Sequence, residues 1–294
     1  LPDDQALAQA AADCTVFGRV TPEQKRKLVH ALQKQGHTVA MTGDGVNDVL
    51  ALKDADCGIA MASGAQAASQ VAQLVLLDSD FAALPNVVAE GRRVINNIQR
   101  SASLFLVKNI FSLLLSLVTL CLPLAYPFQP LQLSLISAVT IGLPSFVLAL
   151  EPNYELVRGK FMHNVLHAAL PGGLTDFLLV FCAQGFAYAF DLSADALGTI
   201  STLLVLETGL IVLFGVCHPF TPVRWALWGS CTILGLGGAV LFAPWLELIP
   251  LDLGATLVLA VLAALVLPVL HTVTGVVDRL WEAGRRLRRE KKSV

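Results

Sequence analysis

Six long apolar segments constrain the fold of this chain more than any other feature of its sequence. They lie at about 103–122, 131–150, 168–190, 198–217, 225–243 and 253–271. Each is close to the roughly 20 residues that a helix needs to cross a bilayer. Only 14% of all residues are charged, whereas soluble domains carry about 25%. We therefore expect residues 103–271 to form an all-α bundle of six transmembrane helices that contacts membrane lipid.

The distribution of Lys and Arg supports one orientation of these spans. Arg158 and Lys160 lie between the second and third segments, and Arg224 lies between the fourth and fifth. Because basic connections stay in the cytoplasm, we expect residues 1–100 and a basic tail, residues 272–294, to be cytoplasmic. The tail is expected to lie against anionic headgroups through Arg279, Arg285, Arg286, Arg288, Arg289, Lys291 and Lys292.

Residues 1–80 have the pattern of a soluble α/β domain. Thr21-Pro22-Glu23-Gln24 predicts the start of a helix that ends near Gly36. Short apolar strands are predicted at 38–41, 58–61 and 74–77, separated by helices, which indicates a parallel Rossmann-like sheet. Because the chain starts at Leu1 rather than Met, we expect this domain to be partial and the chain to be truncated at its front. Residues 81–102 are expected to form a connecting helix.

The string Met41-Thr-Gly-Asp-Gly-Val-Asn-Asp48 is the most informative part of this domain. Asp44 and Asp48 lie four residues apart at the end of a predicted strand, and Mg²⁺ prefers one or two carboxylates together with phosphate oxygens and water. The flanking glycines let the backbone approach a phosphate closely. Lys25, on the preceding helix, could neutralise charge on a phosphoryl group. For Gly-Asp-Gly alone, a surface turn with solvated aspartates is the alternative.

Together with Ala51-Leu-Lys53 and Gly58-Ile-Ala-Met61, this string resembles the hinge signature of P-type ATPases, a branch of the haloacid-dehalogenase-like phosphotransferases. Gly18-Arg19-Val20-Thr21-Pro22-Glu23-Gln24-Lys25 and Gly91-Arg92…Asn96-Asn97 are similar to segments on either side of it in those pumps. The resemblance covers essentially the whole chain. It implies a haloacid-dehalogenase-like phosphorylation domain, ATP and Mg²⁺ as cofactors, and transport of a cation.

The resemblance also implies a role for each matching residue. Asp44 would ligate Mg²⁺ and Asp48 would support the same ion. Lys25 would contact the transferred phosphoryl group, and Asn47 would orient it. The phosphate-binding and nucleotide-binding set implied in this way is Arg19, Lys25, Thr42, Gly43 and Asn47.

The aspartate that becomes phosphorylated in this family is missing, because the sequence contains no Asp-Lys-Thr-Gly-Thr. We therefore expect the chain by itself to be inactive. Its expected partners are the transported cation and the rest of the same polypeptide, namely an actuator domain, a nucleotide-binding domain and four earlier membrane helices. No nucleic-acid partner is expected.

Alignment with calcium-pump-like members implies that Asn109, Ser137 and Thr140 are ligands of the transported ion. Two acidic positions of those pumps are occupied here by Ser112 and Ile141. The segment from Thr140 to Pro152 is most similar to a bacterial group that includes proposed calcium transporters. Calcium is therefore the expected cation, with Mg²⁺ or another cation as the alternative.

Other polar groups within the spans leave further alternatives open. Lys108 could replace a bound ion or extend to the cytoplasmic interface. Asp176 and Glu207 are ionisable at membrane depth, which makes each a candidate ion ligand. Glu151 is expected to be a solvated cap. His163 and His167 are expected to be interfacial imidazoles rather than metal ligands, and the six scattered cysteines predict no disulfides.

Four other functions are alternatives to a cation pump. Heavy-metal pumps usually have two further spans after the hinge, and lipid flippases differ in the hinge string. A soluble phosphatase of the same superfamily shares Gly-Asp-Gly-x-Asn-Asp but lacks the spans. A non-catalytic membrane protein with a vestigial domain is the last alternative.

Overall fold

The structure is a computed structural model that describes residues 4–122 and 124–293, with side chains described within residues 6–284. It divides into two units, residues 1–89 and residues 90–294. The basic side chains predicted from Arg285 onward lie outside the described side chains.

The first unit is an α/β fold, as predicted. Its elements are α1 (Asp4–Asp13), α2 (Pro22–Lys34), β1 (Ala40–Gly43), α3 (Val49–Asp54), β2 (Cys57–Met61), α4 (Gln66–Val71) and β3 (Leu74–Leu76). The three strands form a parallel sheet in the order β1-β2-β3. The carboxyl ends of the strands therefore meet at one edge, where ligands bind in such sheets.

Helix α2 begins where the sequence predicts, because Thr21 and Gln24 cap each other. The Thr21 hydroxyl accepts from the backbone N–H of Gln24 at 3.3 Å, and the Gln24 side chain accepts from the backbone N–H of Thr21 at 3.0 Å. Pro22 occupies the first turn, where its missing N–H costs nothing. Gly36 follows the helix with a φ of +89°, a conformation that favours glycine.

The second unit consists of long helices. They are α5 (Leu84–Cys121), which starts in the first unit, α6 (Pro130–Ser137), α7 (Leu143–Leu150), α8 (Phe161–Ala189), α9 (Ala194–Cys217), α10 (Pro222–Leu241) and α11 (Leu253–Ser293). Helices α6 and α7 are joined without a break by the π-helical turn Ala138–Gly142. The segment 130–150 therefore forms one span with a distorted middle, next to Gly142 and Pro144.

Five of these helical stretches are long and apolar enough to cross a membrane in the part of the chain that the structure describes. The fifth predicted segment, 225–243, forms α10, which is 20 residues long but is not among the five. Arg224 and several glycines and tryptophans lower its hydropathy. The predicted all-α bundle is thus confirmed, with one helix less apolar than expected.

Glycines bring α5 and α8 into close contact. A Cβ at Gly173 would lie 2.8 Å from the Cβ of Ile110 and from the backbone oxygen of Val107. A Cβ at Gly172 would lie 3.2 Å from the Val107 side chain. Small residues at such positions let membrane helices pack backbone to backbone.

Candidate active site

The first strand of the sheet leads directly into the aspartate-glycine string. Strand β1 ends at Gly43, Asp44 and Gly45 follow, and the 3-10 turn Val46–Asp48 leads into α3. The Asp48 side chain folds back over the end of the strand, where a Cβ at Gly43 would lie 2.5 Å from the Asp48 Cβ. Glycine at position 43 is therefore required for Asp48 to be buried at this edge.

Asp48 is held by an ion pair with Lys25. The Lys25 Nζ lies 2.6 Å from the Asp48 Oδ1, and the two side chains are 36% and 8% exposed. The backbone N–H of Gly45 donates to the Asp48 Oδ2 at 3.4 Å. Both carboxylate oxygens of Asp48 therefore have donors from the protein, which suits a supporting role better than direct ligation of a metal.

Two further contacts hold α2, which carries Lys25, against α3. Arg26 binds the Asp54 carboxylate, and the His30 Nε2 lies 2.9 Å from the same group. The pKa of Asp54 is lowered, chiefly by the hydrogen bond from Arg26. Because Arg26 and Lys25 are adjacent on α2, this contact fixes the position from which Lys25 reaches Asp48.

Asp44 differs from Asp48 in that its carboxylate is exposed. Among the residues that the structure describes, no side chain or backbone amide pairs with this carboxylate. The backbone of Asp44 is nevertheless fixed, because the N–H of Ala65 donates to its carbonyl oxygen at 2.7 Å. The site thus presents one free carboxylate on a restrained backbone, next to a second carboxylate that Lys25 has neutralised.

These residues fit a Mg²⁺ ion that takes its remaining ligands from phosphate and water. No group of three or more His, Cys, Asp or Glu side chains within the described residues could hold a metal alone. Asp44 would be the protein ligand and Asp48 would act through Lys25 and the local charge. Mg²⁺ sites of this kind use one or two carboxylates rather than a protein cage.

Of the other candidate residues of the first unit, Thr42, Gly43 and Asn47 belong to the segment at this edge of the sheet, whereas Arg19 does not. Thr42 and Gly43 are the last residues of β1, and Asn47 is exposed in the turn before Asp48. Arg19 is exposed with a φ of +53°. In the described part of the chain, no hydrogen bond or ion pair connects Arg19 to the other candidates. Its nucleotide role stays a prediction.

Gly64 supplies a first test of this geometry. A Cβ at Gly64 would lie 2.4 Å from the backbone oxygen of Asp44. Gly64→Ala must therefore displace the backbone either at position 64 or at Asp44. We expect this change to destabilise the first unit by about 1–3 kcal/mol. Thermal denaturation measures the effect. Gly18→Ala is the matched control, because nothing lies within 4 Å of a Cβ there. Equal behaviour of both variants would contradict the close approach.

Two of the three candidate ion ligands of the second unit, Ser137 and Thr140, lie on or near one small cavity. Lys108, Thr140, Asp176 and Gly209 line this cavity of about 20 Å³. The Lys108 Nζ donates to the Ser137 Oγ at 2.5 Å, and the Thr140 hydroxyl donates to the backbone oxygen of Ile136 at 2.7 Å. Of the two alternatives for Lys108, the structure therefore favours a side chain directed into the unit.

Asn109 is not on this cavity. Its side chain is exposed, because adjacent residues of a helix point about 100° apart and Lys108 takes the inward direction. Ser137 and Thr140 are thus brought near Lys108, whereas Asn109 is not. The ligand role of Asn109 stays a prediction.

Glu151 is paired with arginines and only slightly exposed rather than solvated, which corrects the expectation for this residue. Its carboxylate accepts from the Arg224 Nε at 2.8 Å on both oxygens, and the Arg100 guanidinium lies 3.4 Å away. The Arg224 and Glu151 side chains are only 7% and 13% exposed. Next to this pair, the Asn97 side chain donates to the backbone oxygens of Ala149 and Glu151, each at 3.0 Å. Sequence reasoning missed this cluster, although an acidic residue at the end of a span was a usable signal.

His167 contacts α11. Its Nε2 lies 2.8 Å from the Asp278 carboxylate, and its ring and that of His163 lie beside Trp281. The interfacial position of the two imidazoles stays a prediction.

The class of the first unit is supported by comparison with a protein family. The family of haloacid dehalogenase-like hydrolases matches residues 3–56, a range that includes Lys25, Asp44 and Asp48. The first unit is therefore a haloacid-dehalogenase-like domain, as its sheet and its aspartate-glycine string predict.

The chain also matches cation-transporting ATPases along most of its length. It is 46% identical over 249 residues to the calcium-transporting ATPase CtpE of Mycolicibacterium smegmatis, covering 80% of this chain and 31% of that protein. It is 47% identical over 237 residues to CtpE of Mycobacterium tuberculosis, covering 76% of this chain and 30% of that protein. A Streptococcus pneumoniae protein named as a probable cation-transporting ATPase, exp7, is 40% identical over 229 residues, covering 75% and 29% respectively.

The chain spans about a third of the length of these curated relatives. Its resemblance to P-type cation-transporting ATPases is confirmed by these matches, and the chain is a segment related to that family. Together with the apolar helices of the second unit, the matches support a multi-pass protein of the bacterial plasma membrane.

Proposed function

We propose that this chain is part of an ATP-driven cation pump, in which Mg²⁺-dependent phosphoryl transfer at the first unit drives transport through the second. The observation that carries this proposal is the ion pair of Lys25 with Asp48 beside a free Asp44, at the end of β1 in a chain related to cation-transporting ATPases. Residues 1–80 would complete the phosphorylation domain, 81–102 would connect it to the spans at 103–271, and 272–294 would be the cytoplasmic tail.

Each residue of the first unit has a defined task in this proposal. Mg²⁺, when bound, would neutralise charge on the phosphate oxygens. Asp44 would hold it, and Asp48 would keep Lys25 at the same edge of the sheet, where its ammonium would be available to the transferred phosphoryl group. Asn47 and the backbone at Thr42 and Gly43 would orient the phosphate. The phosphorylated aspartate, the actuator domain and the nucleotide-binding domain would come from the rest of the polypeptide.

We propose calcium as the transported cation, because the CtpE relatives are named calcium-transporting. Ser137 and Thr140 lie beside the cavity of the second unit, and Asn109 would complete the ligand set from the neighbouring face. The replacement of two acidic positions by Ser112 and Ile141 predicts a site of lower charge than in pumps that have both acids.

Transport measurements on the complete protein test this proposal. In inside-out membrane vesicles, we expect ATP and Mg²⁺ to drive uptake of Ca²⁺, which a calcium ionophore then releases. Vesicles from cells that lack the gene are the control. Uptake of a different cation would contradict only the choice of calcium as the transported ion. The absence of ATP-driven transport of any cation would contradict the proposal that the protein is a pump.

The alternative of a soluble phosphatase is disfavoured by the five apolar helices. Heavy-metal pumps and lipid flippases are disfavoured because the relatives reported above are named for calcium or cations.

A further inference from the structure

A large cavity lies near one end of the second unit, between helices α5, α8, α9 and α11. Its volume is about 530 Å³, within the range of roughly 300–1,000 Å³ that is typical of ligand sites. The first α8 residue of its lining is Asn164, which follows the basic connection at Arg158 and Lys160 by a few residues. Because basic connections stay in the cytoplasm, this end of the unit is the one expected on the cytoplasmic side.

The lining of the large cavity changes from polar to apolar with depth. On α8, Asn164 and His167 lie nearer the cytoplasmic end than Gly172, and positions 164 and 172 are roughly 12 Å apart along the helix. On α11, which runs in the opposite direction, Thr274 lies nearer that end than Leu270. A ligand that fills this cavity must therefore be polar at one end and apolar at the other, as a phospholipid is.

Arg100 gives the polar end of the cavity a positive charge. Its side chain is 17% exposed, and among the described residues its guanidinium makes one long hydrogen bond, to the Glu151 carboxylate at 3.4 Å. Arg224 already donates to both oxygens of that carboxylate at 2.8 Å, so two arginines share one negative charge. The next acid along the chain, Glu155, is exposed, and water and salt screen its charge. One positive charge is therefore in excess, and most donors of Arg100 are unused.

The rest of the lining does not balance this charge. None of the described residues that border the cavity is an aspartate or a glutamate. The His167 Nε2 already lies 2.8 Å from the Asp278 carboxylate, and the Ser103 hydroxyl donates to the backbone oxygen of Arg100 at 2.7 Å. Because a guanidinium binds phosphate oxygens through two parallel N–H groups, a phosphate is the group that fits the polar end.

Two glycines determine the space at the apolar end. A Cβ at Gly172 would lie 3.0 Å from the Val212 side chain and 3.2 Å from that of Val107, so the helices close against each other there. At Gly215, which also borders the cavity, nothing lies within 4 Å of an added Cβ. The side chain that Gly215 lacks therefore leaves open space for an apolar chain.

We propose that the large cavity binds one anionic phospholipid of the cytoplasmic leaflet, with its phosphate on Arg100 and an acyl chain beside Gly215 and Leu270. Basic pockets between membrane helices on the cytoplasmic side bind anionic headgroups. A water-soluble phosphate would occupy only the polar end, whereas the lipid occupies both ends. The site uses neither the aspartate-glycine string nor the candidate cation ligands, so it does not depend on the proposed function.

Lipid binding to the purified and delipidated complete protein in detergent tests this proposal without ATP. Native mass spectrometry measures how many phosphatidylglycerol molecules each protein binds as their concentration rises, in comparison with phosphatidylcholine and glycerol phosphate. We expect one phosphatidylglycerol to bind more tightly than either of the other two. Arg100→Gln should weaken this binding by about tenfold or more, because it removes charge-assisted hydrogen bonds to the phosphate. Gly215→Leu should also weaken it, because the new side chain occupies the apolar end of the cavity.

Two further variants serve as controls. Gly237→Leu makes the same change at an exposed glycine of α10, where nothing lies within 4 Å of a Cβ and which does not border the cavity; its lipid affinity should equal that of the parent. Arg100→Lys keeps the charge but not the planar group, so its affinity should be intermediate. Thermal denaturation of each variant verifies folding, which Arg100→Gln should retain because Arg224 still holds Glu151.

Each other outcome overturns the proposal. Equal affinity for phosphatidylglycerol in the parent, Arg100→Gln and Gly215→Leu would mean that the lipid binds elsewhere on the surface. Equal affinities for phosphatidylcholine and phosphatidylglycerol would exclude recognition of an anionic headgroup. Tight binding of glycerol phosphate that Gly215→Leu does not change would indicate a site for a soluble phosphate. If Arg100→Gln does not fold, the comparison of Gly215→Leu with Gly237→Leu decides.

Discussion

Asp44→Asn in the complete protein is expected to lower Mg²⁺-dependent ATP turnover by about a hundredfold or more. The change removes the one carboxylate of the aspartate-glycine string that has no protein partner in the described structure. An amide retains the shape of the side chain but carries no charge to hold a divalent ion. ATPase assays on purified protein across a range of Mg²⁺ concentrations measure the effect.

The same variant separates a chemical role from a structural one. Because the Asp44 side chain is exposed and unpaired among the described residues, the denaturation midpoint of the first unit should not change. Asp78→Asn is the matched control: Asp78 is an exposed aspartate that follows β3 in the same unit. Normal turnover of Asp44→Asn, or an equal loss in Asp78→Asn, would remove Asp44 from the site.

Arg224→Ala is expected to destabilise the second unit by about 3–5 kcal/mol. The substitution leaves Glu151, whose side chain is 13% exposed, with a single, more distant cation, the Arg100 guanidinium at 3.4 Å. It also removes the hydrogen bond from Arg224 to the backbone oxygen of Pro219 at 2.7 Å. Removing one partner of a buried pair costs more than the pair contributes, because an uncompensated charge stays behind. Thermal denaturation in detergent measures the loss.

Two further variants define what Arg224 contributes. Arg224→Lys keeps the charge but loses the planar group that meets both oxygens of Glu151, so its loss of stability should be intermediate. Arg158→Ala removes an exposed arginine from another connection and should leave the midpoint unchanged. A wild-type midpoint for Arg224→Ala would mean that Glu151 is solvated after all.

Patterns that are local in the sequence were sufficient to predict the main helices and strands of both units. The capping pair of Thr21 and Gln24 marks the start of α2 because it depends only on neighbours in the chain. Short apolar strands between helices indicate a parallel sheet, and long apolar segments indicate spans, since both patterns follow from burial. Helix α8 nevertheless begins at Phe161, ahead of the predicted 168, because hydropathy marks the apolar part of a helix and not its first turn.

Contacts between distant residues could not be predicted in this way. Lys25 was expected at a phosphoryl group, but its contact with Asp48 depends on how α2 packs against α3. Glu151 was expected in water, because nothing nearby in the chain reveals Arg224. For Asp176, the sequence indicated a candidate ion ligand, whereas its burial depends on how α5, α8 and α9 pack around a common cavity.

The cluster around Glu151 also has a consequence for biosynthesis. Arg224 follows Glu151 by 73 residues, so at about 5–20 residues per second the carboxylate precedes this partner by roughly 4–15 s. Arg100 precedes Glu151 by 51 residues and is already present when the acid leaves the ribosome. Arg100, the more distant cation of the folded cluster, is therefore synthesised first. Its charge can stabilise the Glu151 carboxylate until Arg224 and the fifth span have been synthesised.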